Sequence, residues 1–226
     1  MAQPNMVEVE VGGKPYRIST FKIPYFASYL DFQSHAGQGS RKHDDIPYFE
    51  AAYQGAEKGL RHCFRNLDPD ITAYHTLCDT LDFLCIDILG GRSLEGVIQD
   101  LKEGKGYYDD DYKRPTLMKG DKRLARDSCF RLLYLMMKAD LEDDTKIAQK
   151  IYQAVVFVVS HRAIFKYRAR KLIRAAYEER FTVTPKQLAE LDRWPILEPG
   201  LDSKWSDNDV TTEENSDPDT DADFSD

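Results

Sequence analysis

Val7-Glu8-Val9-Glu10-Val11-Gly12-Gly13-Lys14-Pro15-Tyr16-Arg17-Ile18 is the stretch whose reading decides the fold. Valine and glutamate alternate with the period of two that a half-buried strand requires. Two glycines follow, and Tyr16-Arg17-Ile18 resumes the alternation. Glycine reaches positive φ without a Cβ clash, so Gly12-Gly13 suits the two-residue loop that matches strand twist. That loop predicts a register: Val9 opposite Tyr16, Val7 opposite Ile18 and Glu8 opposite Arg17. One face is then wholly apolar, and the other carries an opposite-charge pair. A two-stranded hairpin is only marginally stable in water, so something must cover the apolar face.

The next stretch supplies a cover. After Ser19-Thr20, which suit a short turn, Pro24-Tyr25-Phe26-Ala27-Ser28-Tyr29-Leu30-Asp31-Phe32 reads as a proline-started helix. Phe26, Tyr29 and Leu30 share one side of it. Tyr25, Phe26, Tyr29 and Phe32 are the candidate interaction surface, with a plain role in the core as the alternative. Residues 33–45 read as a polar surface loop and residues 46–67 as helical in pieces, weakened by Gly55 and Gly59. Tyr74, Leu77, Cys78, Leu81, Leu84, Cys85 and Ile88 form an apolar stripe over 73–89, with Asp70 or Thr72 as cap and Gly90-Gly91 as terminator.

Val7-x-Val9-x-Val11-Gly12-Gly13-x-x-Tyr16-x-Ile18, Pro24-Tyr25-Phe26 and Leu77-x-x-x-Leu81-Asp82-Phe83-Leu84-x-Ile86 together resemble the opening strands, first helix and closing helix of a BTB/POZ domain. The Val-Gly-Gly form is similar to the branch shared with potassium-channel tetramerisation domains, and most of all to the BTB proteins of filamentous fungi. The likeness covers residues 5–90. The family's acidic third-strand motif is reduced here to Asp44-Asp45-Ile46-Pro47. The resemblance implies a non-enzymatic module that oligomerises with itself or recruits protein partners, including service as an adaptor to a cullin-type ubiquitin ligase. The zinc-binding members' paired cysteines are lacking, so no metal is carried over.

The chain as a whole is expected to be α+β. A BTB/POZ-like domain spans 5–104, a linker 105–122, a helical region 123–198, and a disordered acidic tail 199–226. Leu94 opens a short helix to Leu101. Residues 124–139 are apolar around much of their circumference, and 143–179 read as one long helix in preference to a buried strand at Val155-Val156-Phe157-Val158-Val159. Thr184-Pro185 with Gln187 opens a last short helix by a cap-then-proline signal.

With 226 residues, 42% of them hydrophobic, the chain can bury one good-sized core or two small ones. Its longest apolar run, six residues at 154–159, is far below the roughly 20 that span a bilayer, and no signal peptide is read at the start. No membrane partner is expected. Cys63, Cys78, Cys85 and Cys129 lie in apolar helical stretches as reduced thiols do, which points to the cytoplasm or nucleus.

The net charge of −8 is carried by the end of the chain: residues 202–226 hold ten acidic side chains against Lys204, leaving the first 201 residues at +1. Arg162, Lys166, Arg168, Arg170, Lys171 and Arg174 form the densest basic run. It reads either as the wet face of an amphipathic helix or as a nucleic-acid contact with Tyr167 for stacking, the alternative functional class of a transcription-related factor. A third reading folds the acidic tail over this run, a contact that salt weakens. In the tail, Ser206, Thr211, Ser216 and Thr220 each precede an acidic residue by three positions, the pattern that acidophilic kinases accept.

No catalytic residue and no cofactor is assigned. Gly12-Gly13-Lys14 and Gly90-Gly91-Arg92-Ser93 lack the strand-loop-helix context of a phosphate-binding loop. His75-x-x-Cys78 alone approaches zinc-ligand spacing, and His161 reads as a capping or solvated residue.

Overall fold

A computed structural model of the chain describes residues 6–37, 41–65, 67–102, 119–139 and 145–197. The tail and its four phosphorylation candidates Ser206, Thr211, Ser216 and Thr220 lie outside these residues, as does most of the stretch read as linker.

The fold is α+β, a three-stranded sheet with eight α-helices among the described residues. Strands β1 (Met6–Val11) and β2 (Lys14–Ser19) form the antiparallel hairpin with the expected register, Val9 facing Tyr16, Val7 facing Ile18 and Glu8 facing Arg17. Gly12 and Gly13 both take positive φ, +55° and +80°, as a two-residue loop of this hand requires. Val9, Val11 and Ile18 are buried, whereas Glu8 and Arg17 are exposed. A two-residue strand, β3 (Lys42–His43), falls within the stretch read as loop and joins β1 in parallel, giving the order β2-β1-β3.

Helix α1 (Tyr25–His35) begins after Pro24 and buries Phe26 toward the sheet. Helix α2 (Phe49–Lys58) ends at Gly59, whose φ of +106° no side chain adopts cheaply, and a 3-10 turn (Leu60–Phe64) follows. Gly55 stays inside α2 because a Cβ there would lie 2.4 Å from the Cys63 sulfur. The Asp70 carboxylate caps α3 (Ile71–Phe83) by accepting from Ala73 N–H at 3.3 Å.

Two helix ends differ from expectation. The apolar stripe predicts α3 through Leu89, but the helix stops at Phe83. Cys85 takes φ +56°, and the N–H groups of Cys85 and Ile86 turn back to the carbonyls of Asp82 and Leu81. This is the Schellman closure that glycine ordinarily makes. Cys85 is therefore exposed and outside the stripe. Because a left-handed residue with a Cβ costs about 1–2 kcal/mol relative to glycine, Cys85→Gly is expected to raise stability by roughly 1 kcal/mol in denaturant titration.

The helix expected over 143–179 is in fact two, α6 (Thr145–Ser160) and α7 (Tyr167–Arg180). No proline or glycine marks the break. His161 makes it: its Nδ1 lies 2.7 Å from the Phe157 carbonyl and its ring packs 4.0 Å from that of Phe157, closing the last turn of α6. Ile164 and Phe165, adjacent in sequence, are then both buried, which a continuous helix on a flat core does not favour.

Helices α4 (Leu94–Lys102) and α5 (Lys119–Lys138) complete the bundle with α8 (Pro185–Leu191), which starts at the expected Thr184-Pro185 and is closed there by a Thr184–Gln187 capping box. Helix α5 opens at Lys119, inside the stretch read as linker. One contiguous apolar cluster runs from Val9 of the hairpin through Phe130 of α5 to Leu191 of α8. Helices α5 to α8 thus share their core with the N-terminal part. Asp127 of α5 reinforces the join by accepting from the Arg61 backbone N–H at 2.7 Å and pairing with its guanidinium at 3.3 Å. No helix among the described residues is long and apolar enough to cross a membrane.

Candidate interaction surface

Helix α1 has two aromatic sides. Phe26 points inward and is fully buried, so this member of the predicted surface set belongs to the core. Tyr25, Tyr29 and Phe32, spaced at i, i+4 and i+7, share another face. Tyr25 and Tyr29 are half-buried and Phe32 is 68% exposed. Phe83, at the end of α3, extends this face: it is 49% exposed and its ring lies 4.5 Å from that of Tyr25.

The tyrosines are held from beneath by β3. The Lys42 carbonyl accepts from Tyr29 O–H at 2.5 Å. His43 Nδ1 lies 2.8 Å from the Asp44 carbonyl. A carbonyl only accepts, so that nitrogen carries the proton and Nε2 is left to accept from Tyr25 O–H at 2.7 Å. Burial, and then the neighbouring Tyr29, raise the Tyr25 phenol above its ordinary value, keeping it protonated as the donor. The Tyr25 and Tyr29 rings stack at 6.0 Å and 18°. The short third strand thereby sets a rigid aromatic face, with Phe32 and Phe83 standing furthest into solvent.

Phe83 was not among the residues read as a surface. A signal was present, since it falls off the apolar stripe of its own helix and so had to point away from the core.

The basic run is rearranged by the fold. Arg162, Lys166 and Lys171 are exposed. Arg170 is 6% exposed and enters the core side of α7. Arg174 is engaged by Glu178 at 2.7 Å and Asp192 at 2.6 Å. Arg168 donates to the Arg65 carbonyl, and Arg126 of α5 donates to the Ile164 carbonyl at 2.8 Å. Arg65 and Arg126, remote in sequence, are thus brought beside the start of α7. Lys171 sits over the Tyr167 ring at 5.8 Å, so this tyrosine already has a cationic neighbour.

A cleft of about 400 Å³ opens next to Arg65 and Arg168, but Asp68 and Asp70 also line it, and Asp70 serves as the α3 cap. The residues that first suggest zinc have separate neighbours. His75 faces Glu179 at 3.3 Å, Cys78 packs 3.8 Å from the Met137 sulfur, and Cys85 lies past the helix end. Burial pushes the Cys78 thiol up to about 12 and raises Cys63 and Cys129 as well, which leaves them as neutral apolar side chains. Among the described residues no three metal-ligating side chains converge.

Comparison of the chain with protein-family models, with curated proteins and with solved structures found no match.

Proposed function

We propose that this chain is a protein-interaction module of BTB/POZ type that associates with itself through the aromatic face of α1. The observation that carries the reading is that face itself. Tyr25, Tyr29, Phe32 and Phe83 form a contiguous, preorganised aromatic surface, with Phe32 68% and Phe83 49% exposed. Aromatic side chains held rigid lose little entropy on association, and contiguous apolar exposure marks contact sites. The order of elements supports the family reading: a hairpin closed by Gly12-Gly13, a helix on its apolar side, a short third strand, then the central helices. On the same reading the chain recruits protein partners, a cullin-type scaffold among them, and pull-down from cell extract with Phe32→Glu as control tests that step.

Self-association predicts an apparent mass that rises with concentration in light scattering. Phe32→Glu places a charge on the most exposed ring of the face without touching the core, so it is expected to weaken dimerisation at least about tenfold, the equivalent of ~1.4 kcal/mol.

A second reading has the cations beside α7 in its favour, Arg162, Lys166 and Lys171 being exposed there: association with nucleic acid. A gel shift at low salt with mixed-sequence DNA tests it, and no retardation removes it.

A further inference from the structure

The C-terminal end of the described chain is already seated on α7. Helix α8 packs on α6, where Tyr152 O–H donates to Glu190 at 2.6 Å, and just past its end Asp192 reaches back to Arg174 of α7 at 2.6 Å. Beyond Leu197 the sequence has 29 further residues, eleven of them acidic and ten of these within 202–226.

The side of α7 that runs from Arg174 toward its start is cationic. Lys171 stands one turn before Arg174, and Lys166 and Arg162 lie at and before the helix N-terminus, all three exposed. That N-terminus has no acidic residue in its first turn and no side-chain cap, so its amide dipoles add positive potential to the lysines. Asp192 on Arg174 shows a carboxylate from the C-terminal stretch using this side of the helix.

We infer that the acidic segment 202–226 docks intramolecularly along the cationic side of α7, from Lys171 to Lys166 and Arg162, continuing the contact begun by Asp192. The reach is ample. Arg174 to Lys166 is about 12 Å along a helix, whereas the ten residues from Leu197 to Asp207 extend up to ~33 Å. Tethering makes the local carboxylate concentration on the order of millimolar, so weak individual contacts suffice. The docked segment covers the cations that a nucleic acid would otherwise meet. The inference concerns a surface other than the α1 face and does not rest on self-association there.

Carbodiimide coupling of the full chain, followed by peptide mass spectrometry of the monomer band, tests it. At low salt the expected product joins Lys166 or Lys171 to a carboxylate within 202–226. Its yield is expected to fall at least about fivefold in 0.5 M salt, where the screening length drops to a few ångströms. Arg162→Glu, an exposed position whose folding is checked by circular dichroism, is expected to lower the Lys166 product about threefold or more. Four results would overturn the inference. They are absence of any tail cross-link to these lysines, tail cross-links equally frequent at remote exposed lysines such as Lys14 and Lys58, yields unchanged by salt and by Arg162→Glu, and cross-links confined to a dimer band.

Discussion

Val9→Asp is expected to leave the chain unfolded, whereas Glu8→Lys, one residue away, is expected to be nearly silent. Val9 is 2% exposed and sits in the centre of the hairpin's buried face. The substitution forfeits about 1.5–3 kcal/mol of apolar burial and forces a carboxylate either to ionise without a partner or to take up a proton at a further cost of several kcal/mol. The sum is comparable to the whole stability of an ordinary domain, about 5–15 kcal/mol. Glu8 is exposed and its cross-strand neighbour is Arg17, so the lysine creates a like-charge pair in water, worth well under 1 kcal/mol. Thermal denaturation followed by far-ultraviolet circular dichroism separates the two. Equal damage would mean that both faces of the hairpin are buried.

Phe130→Ala is the second large effect. The Phe130 ring is fully buried on α5 and meets the Phe64 ring edge-on at 5.4 Å, and Phe64 in turn stacks on Tyr74 of α3. Removing it is expected to cost ~3–5 kcal/mol through lost burial and a residual cavity. Because the cluster is continuous, the loss falls on both halves together. Hydrogen exchange read at β1 and at α6 is expected to accelerate by the same factor, and denaturant unfolding to remain a single transition at lower midpoint. Two separated transitions, with the hairpin unaffected, would show that residues 119–197 are an independent unit.

The features legible in the sequence were those set by local chemistry. The hairpin register followed from a period of two and from the only residue pair there that accepts positive φ. The α3 cap was narrowed to Asp70 or Thr72, of which Asp70 serves, and the start of α8 followed from the cap-then-proline signal at Thr184-Pro185. What was hidden depended on tertiary context. Cys85 occupies a left-handed position that its side chain does not advertise, so the apolar stripe ran on to Leu89 on paper. The break between α6 and α7 is closed by a histidine and by two neighbouring buried residues, not by a helix breaker.

The candidate surfaces divide in the same way. Spacing placed Phe26, Tyr29 and Leu30 on one side of α1, but only the packing decided that Phe26 turns inward, that Tyr29 shares a face with Tyr25 and Phe32, and that Phe83 joins from another helix. A linear run of arginines says how much charge is present, not which side chain faces the core. Arg170 does so, while Arg126 and Arg65 arrive from 38 and 103 residues away through bonds to Ile164 and from Arg168.

The central claim is that the α1 face mediates association, and sedimentation equilibrium on the wild type and on Phe32→Glu at several concentrations tests it most directly. The account predicts a wild-type mass that rises above 26.0 kDa with concentration and a Phe32→Glu chain that stays monomeric over the same range. A wild type that is monomeric throughout, or a variant that associates as strongly as the wild type, would contradict it.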